Sequence, residues 1–303
     1  MAHTSSARVF VLLALVLSLA ACDTDRAHRK KVEAWHARRV ANLTAPDAWL
    51  SLTGLFWLKQ GENRFGFGSA NDVTFPDSAG PAYLGSYILD ADSVRAVLAP
   101  SSGVLVDGSA HGDTFGVVTD LYEAPTMFEY GSISWYVIDR EGKLGIRLMD
   151  SLNVARRTFA GIERYPVNRE WRIKGRFIPY DPPRSMVVPT VLDEPATLES
   201  PGAVEFEIGG EKHRLDVVGE PDAKRLWIIF ADPTNRSDTY PAGRYLYIDA
   251  PTASGAVEID FNMSYSPPCA FSDYATCPFP PPQNRMRVPV EAGEKRWKRG
   301  GHV

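Results

Sequence analysis

The sequence lacks the short motifs that usually reveal an enzyme. It contains no Gly-x-Ser-x-Gly elbow, no His-Glu-x-x-His pair, no phosphate-binding P-loop and no complete dinucleotide fingerprint. Its 6 histidines are scattered without the spacing of metal ligands. The sequence therefore predicts no metal and no cofactor, and it identifies no catalytic residue.

Strong charge and long apolar runs are also missing. The formal net charge is only -4, and a mildly acidic chain lacks the basic surface that nucleic acids require. The longest apolar run, Val9 to Ala21, has 13 residues. A helix needs about 20 such residues to span a bilayer, so this run is too short to be a transmembrane helix.

The N-terminus has the order of parts expected of an export signal. Arg8 precedes the apolar run, and Leu19-Ala20-Ala21-Cys22 closes it. This tetrapeptide resembles the lipobox of bacterial lipoproteins. The resemblance implies that residues 1–21 are a signal peptide and that Cys22 carries acyl chains such as palmitate, which anchor the protein to a membrane on the periplasmic side or the cell surface. An ordinary secretory signal with an incidental cysteine is the alternative.

Only two further cysteines exist, Cys269 and Cys277. In an oxidising compartment such a pair predicts a disulfide. The ring would contain nine residues, and the chain-entropy model assigns it about 2.5 kcal/mol. Reactive thiols that exchange disulfides, and metal-binding thiols, are the open alternatives.

Residues 22–45 predict a short helix that tethers the body to the anchor. Val32, Trp35 and Val40 recur at helical spacing, and Pro46 predicts the end. Basic residues exceed acidic ones here, so the helix could lie on anionic headgroups. Alternatively, it packs on the body through Trp35.

The rest of the chain predicts a mostly β protein. Short runs with period-two alternation are separated by Gly-containing turns, which is typical of an antiparallel sandwich or barrel. We divide this body into an N-terminal β-sandwich over residues 46–155 and a C-terminal β domain over residues 156–303. The predicted strands are Ile133–Ile138, Leu144–Met149, Trp171–Ile178, Val204–Ile208, Leu226–Phe230, Arg244–Ile248 and Val257–Phe261.

Several blocks together resemble the bacterial family known as domain of unknown function 1684. They are Trp49–Leu58, Asn71–Val73, Gly145–Asp150, Phe230–Thr234, Tyr240–Arg244 and the C-terminal run from Asp260 to Lys295. The resemblance extends over residues 35–297. It implies an envelope-associated, often lipid-anchored, mostly β protein, and it implies no activity.

The first half is also similar to a forkhead-associated sandwich. The similarity lies in Gly61–Gly66, Asn71–Phe75 and Gly131–Ile133. Phe67 stands where that fold has its phosphate-binding arginine, and no Ser-x-x-His follows in this half. The similarity therefore implies architecture and not phosphopeptide binding.

The C-terminal run should cover a surface. Pro267-Pro268 and the prolines between Pro278 and Pro282 preset extended backbone without amide donors, so this segment cannot join a central strand. With the predicted disulfide it would be a rigid covering loop that plugs one end of the body or roofs a pocket.

Charged, amide and phenolic residues at the predicted strand ends are the candidate ligand contacts, since guanidinium, amide and phenol groups suit an anion. We expect them to line a pocket under the C-terminal loop that binds a small polar or anionic ligand or a partner. They are Arg147, Asp150, Asp232, Tyr240, Arg244, Asn262, Tyr265, Asn284 and Glu294.

Three alternatives remain open for this set. The first is a buried ion-pair network, such as Arg147 with Asp150 or Arg244 with Asp232. The second is a hydrolase in which Asp150, Asp232 or Glu294 acts as general base. The third is a structural or assembly lipoprotein.

Overall fold

The computed structural model describes the backbone of residues 4–76, 80–192 and 194–298, and the side chains of these residues from Thr24 onward. The side chains of the predicted signal peptide, residues 1–21, and of the predicted acylation residue Cys22 lie outside the described residues.

Helix α1, Thr4–Leu43, begins far upstream of the tether predicted at residues 22–45 and ends two residues before the predicted end. Its C-terminal half docks on the body, because Val32 and Leu43 are both 0% exposed. The helix ends three residues before Pro46, whose ring disfavours helical backbone in the preceding residue. Among the described residues, no helix is sufficiently long and apolar to cross a membrane.

The first half of the body is a sandwich of two sheets. A six-stranded sheet has the order β1-β11-β10-β9-β6-β7, and a five-stranded sheet has the order β3-β2-β4-β5-β8. The strands are β1 Leu52–Trp57, β2 Gly61–Gly66, β3 Val73–Thr74, β4 Gly85–Asp90, β5 Ser93–Leu98, β6 Leu105–Val106, β7 Ser109–Ala110, β8 Thr114–Gly116, β9 Phe128–Tyr130, β10 Ile133–Arg140 and β11 Lys143–Asp150.

An aromatic core joins these two sheets. Phe65, Tyr87, Phe128 and Trp135 are all 0% exposed. The indole Nε1 of Trp135 donates to the Tyr87 hydroxyl at 2.7 Å, so the polar atoms of both rings are satisfied in the interior.

The second half contains a four-stranded sheet, β14-β13-β12-β17, and the two-stranded ribbon β15-β16. Its elements are α2 Val154–Arg157, β12 Arg172–Val188, β13 Ala196–Ile208, β14 Glu211–Val217, β15 Arg225–Phe230, β16 Arg244–Asp249 and β17 Ala256–Asp260. A second core, which includes Val204, Ile228, Leu246 and Phe261, lies between the sheet and the ribbon.

The prediction of a mostly β fold with antiparallel pairing is confirmed. Strand β10 pairs antiparallel with β11, and the turn between them contains Glu141 at φ 54° and Gly142 at φ 82°, the backbone that a tight hairpin needs. The described sheets are open and end in edge strands, so of the two predicted architectures the first half has the sandwich. The more specific likeness to the forkhead-associated fold stays a prediction.

The chain after β17 runs over the body and forms no further strand in the described residues. Single bridges attach it at Tyr265 to Tyr245, at Pro278 to Thr190, at Arg285 to Ala231 and at Glu294 to Arg164. This agrees with the expectation from its prolines, whose missing amide protons exclude the segment from a central ladder.

Candidate functional site

The candidate site lies on the outer face of the six-stranded sheet. Along β11, Leu144, Ile146 and Leu148 point into the sandwich core, so the alternating residues Arg147 and Met149 point outward. Arg147 stands opposite Tyr136 of β10, which brings both side chains onto this face.

Arg147 is a buried cation held by neutral partners. It is 2% exposed, and its guanidinium donates to the Thr276 hydroxyl at 3.0 Å and to the Tyr136 hydroxyl at 3.4 Å. The ring of Trp49 lies 5.3 Å from the guanidinium carbon. Within the described part of the chain, no carboxylate lies within ion-pair distance of Arg147, and its Nε has no hydrogen-bond partner.

A cavity of about 510 Å³ lies between the end of α1 and the sheet, and Arg147 is buried behind two of its wall residues, Trp49 and Tyr136. We call it the α1 cavity. Trp49 and Tyr136, which contact the guanidinium of Arg147, belong to its wall, and Met149 is its neighbour on the same face of β11. The wall consists of Arg39, Asn42, Ala45, Asp47, Ala48, Trp49, Leu52, Tyr136 and Met149.

The helix contributes a second cation, Arg39, to this cavity. Its Nε donates to Glu294 at 3.3 Å, and its Nη2 donates to the carbonyl of Ser266 at 2.8 Å. The guanidinium carbon also lies 4.8 Å from the centre of the Tyr265 ring. Three partners in the C-terminal run therefore fix the direction of Arg39.

Glu294, the carboxylate that accepts from Arg39, is 1% exposed. Its second oxygen accepts the backbone N–H of Ser266 at 2.8 Å. Burial raises the pKa of Glu294, and the nearby Arg39 opposes this rise only in part. Gly293 has a φ of 77° and touches Ser264 so closely that a Cβ would collide with its backbone, which explains a glycine before Glu294.

Burial also shifts the pKa values of the phenol and imidazole groups around Arg39. It lowers the pKa of His36, and the charges of Arg164 and Arg39 lower it further. It raises the pKa of the Tyr265 phenol, which therefore stays neutral under Arg39. The positive charge of this region is consequently carried by arginines.

The predicted disulfide is confirmed, and its ring covers the candidate site. Cys269 is bonded to Cys277, with their Cα atoms 6.2 Å apart. Cys277 is buried and packs in one cluster with Leu52 and Met149, beside the α1 cavity. Thr276 in this ring accepts from both Arg147 and Arg140, each at 3.0 Å.

Arg244 and Asp232 form a separate, buried ion pair, although Nε of Arg244, like that of Arg147, has no hydrogen-bond partner among the described residues. Both side chains are 0% exposed, and the guanidinium meets the carboxylate at 2.7 Å. Asp232 also accepts the backbone N–H of Thr234 at 2.9 Å, while Arg244 donates to the carbonyl of Val290 at 2.9 Å. This pair ties the loop after β15 to the C-terminal run.

The two asparagines of the predicted set cross-link backbone segments. Asn262 accepts from the backbone N–H of Asn168 at 2.9 Å and donates to its carbonyl at 2.8 Å. Asn284 exchanges the same two bonds with Asp216, at 2.7 and 2.8 Å, and donates to Ile229 at 2.9 Å. Their amides are therefore engaged in holding the C-terminal run against the body.

Tyr240 and Asp150 are the remaining predicted residues. Tyr240 donates to the carbonyl of Cys269 at 3.1 Å and so supports the disulfide ring. Asp150 accepts the backbone N–H of Leu152 at 2.9 Å, in the turn after β11, and does not pair with Arg147.

The structure thus places Arg147 behind the wall of the α1 cavity, in contact with Trp49 and Tyr136. Tyr265 and Glu294 contact Arg39, which lines the cavity. The structure gathers Arg244 and Asp232 elsewhere in the interior. Sequence reasoning missed Arg39, Trp49, Tyr136 and Thr276 as members of the site. The amphipathic pattern around Trp35 and the family-like block at Trp49 were the available signals for the first two.

These features define a mostly β protein in which an N-terminal helix and a disulfide-closed C-terminal run cover one face of a sheet. Residues 157–295 match the family described as Protein of unknown function (DUF1684). The predicted resemblance to this family is confirmed for that segment, which contains Phe230–Thr234, Tyr240–Arg244 and the C-terminal run. The blocks at Trp49–Leu58, Asn71–Val73 and Gly145–Asp150 precede it.

Comparison with solved structures finds the solution NMR structure of an uncharacterized protein from Haloarcula marismortui. It is 27% identical and covers 46% of this chain and 78% of that chain, with a TM-score of 0.39. No curated protein matches this chain.

Proposed function

We propose that this protein is a lipid-anchored component of the cell envelope that binds a small anionic ligand in the α1 cavity. The observation that carries the proposal is Arg147, a cation 2% exposed beside the cavity and held by hydroxyl groups. The ligand class is a carboxylate or phosphate with an aromatic or apolar part.

The charge of Arg147 supports the anionic part of this ligand. Removing a cation from water costs several kcal/mol unless a counter-charge compensates it. Thr276 and Tyr136 supply dipoles but no negative charge. A bound anion would supply it, and a guanidinium fork suits carboxylate and phosphate geometry.

The walls of the cavity support the apolar part. Trp49, Leu52, Tyr136 and Met149 offer rings and aliphatic surface, and a volume of about 510 Å³ lies in the range of small-ligand sites. Arg39 also lies in the wall, but its charge is paired with Glu294 at 3.3 Å, so Arg147 is the cation without a counter-ion at this site. Asp47 is exposed at the edge and would disfavour a second anionic group there.

Calorimetric titration of the purified full chain tests the ligand class. We expect phenyl phosphate or phenylacetate to bind, and phenol to bind at least about tenfold more weakly because it lacks the charge. Arg147→Met should weaken binding of the anion by about tenfold or more.

Arg140→Met is the matched control. Arg140 donates to the same Thr276 hydroxyl but is paired with Asp120 at 2.7 Å and does not contact the cavity wall residues Trp49 or Tyr136 in the described contacts. It should retain the wild-type affinity. Equal binding of phenol and the anions, or no binding of either anion, would contradict the proposed ligand class.

The anchor has its own test. The lipobox at Leu19–Cys22 supports acylation of Cys22, and the disulfide at Cys269–Cys277 supports an oxidising compartment. Cys22→Ser should abolish incorporation of labelled palmitate and move the protein out of the membrane fraction. Unchanged fractionation and labelling would remove the lipoprotein assignment.

A further inference from the structure

A second, smaller cavity lies between the first described turns of α1 and the segment before β12. Its volume is about 240 Å³, and we call it the Asn168 cavity. It is lined by Asp25, His28, Arg29, Val167, Asn168 and Arg169. The proposed function does not involve this cavity.

His28 is the buried member of this wall. It is 5% exposed, and its Nε2 lies 2.7 Å from Oδ2 of Asp260, which is 3% exposed. A carboxylate at this distance fixes the orientation of the ring. A histidine so held is a buried polar group in the wall of the cavity.

Asn262 connects the His28–Asp260 pair to the opposite wall of the cavity by hydrogen bonds. Its side-chain amide donates to Oδ1 of Asp260 at 2.8 Å, and its backbone N–H donates to the same oxygen at 3.1 Å. The same side chain clamps the backbone of Asn168, which lines the cavity. The position of His28 relative to Asn168 is therefore set by buried hydrogen bonds.

Two arginines complete the wall, and two acids, Asp25 in the wall and Asp260 behind His28, match them in formal charge. Arg169 lies 3.4 Å from Asp25, and because both side chains are more than half exposed this pair is weak and easily exchanged for another anion. Arg29 lines the cavity from the helix. The cavity therefore offers exposed guanidinium donors, and these suit a compact oxyanion with several acceptor oxygens.

The cavity is close to the proposed anchor. His28 follows Cys22 by six residues within helix α1, which corresponds to about 9 Å along the axis at about 1.5 Å per residue. If Cys22 is acylated, the cavity stands at the level of the phospholipid headgroups.

From this arrangement we infer that the Asn168 cavity binds a phosphate group, as a free phosphate or as the phosphate of an anionic lipid headgroup. Arg169 and Arg29 supply charge at its mouth, and the His28–Asp260 pair supplies the buried contact. The assignment of the phosphate to a lipid headgroup depends on the proposed membrane anchor, whereas the binding of phosphate itself does not. The site itself is independent of the ligand proposed for the α1 cavity.

Thermal unfolding of the purified full chain in phosphate-free buffer tests this inference. The probes are inorganic phosphate, vesicles of phosphatidylglycerol, and vesicles of a neutral galactolipid without phosphate. We expect phosphate or the phosphatidylglycerol vesicles to raise Tm, as a ligand of the native state does, and the galactolipid to have no effect. Protection by phosphate identifies a free-phosphate site, and protection by the vesicles alone identifies the headgroup.

Arg169→Gln should require about tenfold more probe for the same rise in Tm. Arg26→Gln is the matched control, because Arg26 is an exposed arginine of the same helix that does not line the cavity, and it should respond like wild type. The same comparison of Arg169→Gln with Arg26→Gln in an Arg147→Met background removes the contribution of the α1 cavity, which also takes phosphate groups. No protection by either phosphate probe, or equal weakening by Arg169→Gln and Arg26→Gln, would overturn the inference.

His28→Gln distinguishes a binding group from a structural contact. If His28 binds phosphate, this variant should lose most of the rise in Tm that the probe produces. A variant that melts at a lower temperature but keeps the full rise would show that the His28–Asp260 pair only fastens α1 to the body, and would overturn its assignment.

Discussion

Two buried arginines of this protein have different electrostatic surroundings. Arg244 is 0% exposed and meets the carboxylate of Asp232 at 2.7 Å, whereas Arg147 is 2% exposed and meets only hydroxyl groups among the described residues. Burial alone therefore does not tell a structural cation from one that is available to a ligand. The presence or absence of a counter-ion does.

We expect the largest loss of stability when Arg244 is replaced. Arg244→Met leaves Asp232 buried without a counter-charge and should lower the free energy of unfolding by about 3–5 kcal/mol. Arg147→Met strands no carboxylate among the described residues and should change it by about 1 kcal/mol or less. Urea unfolding of the two variants measures both values, and equal losses would erase the distinction.

A smaller effect is expected when the cover over Arg147 is opened. The double variant Cys269→Ser and Cys277→Ser should lose about 2.5 kcal/mol of unfolding free energy, because the nine-residue ring no longer restricts the unfolded chain. It should also weaken binding of phenyl phosphate, since Thr276 is no longer held beside Arg147. A reducing agent should reproduce both effects in wild type and neither in the variant; an unchanged unfolding midpoint in wild type would argue against the bond.

The smallest effect concerns Glu294 and is seen in the pH dependence. Its pKa is raised above the ordinary 4.5, so the native state holds a proton that the unfolded state releases. The stability this contributes is present below pH 4.5 and is lost as the pH rises through the raised pKa. Wild type should therefore lose stability relative to Glu294→Gln over this window. Parallel curves for the two proteins would show that the pKa of Glu294 is not raised.

Most of the fold could be predicted from short-range patterns. Period-two alternation located β10, β11 and β15 to β17 closely, and Gly-containing turns located the hairpins, because both signals depend on neighbouring residues. Strand β12 was predicted only as Trp171–Ile178, although it continues to Val188. Its prolines, Pro179, Pro182 and Pro183, interrupt the pattern that defines a strand.

The site was harder to predict because its contacts join distant parts of the chain. Thr276 is 129 residues from Arg147, and Asp260 is 232 residues from His28. No local pattern shows which of many polar residues meet across such separations. Asn262 and Asn284 illustrate this, since the sequence cannot indicate whether an amide faces a ligand or another backbone.

The position of Thr276 within the disulfide ring links oxidation to the surroundings of Arg147. A chain in a reducing compartment has an open ring, so the hydroxyl that orients Arg147 is not yet fixed. Under the proposed function, the pocket would be complete only after the two sulfurs are oxidised. A newly made chain would then remain a precursor until it reached an oxidising environment, and it would not capture the proposed ligand where it was synthesised.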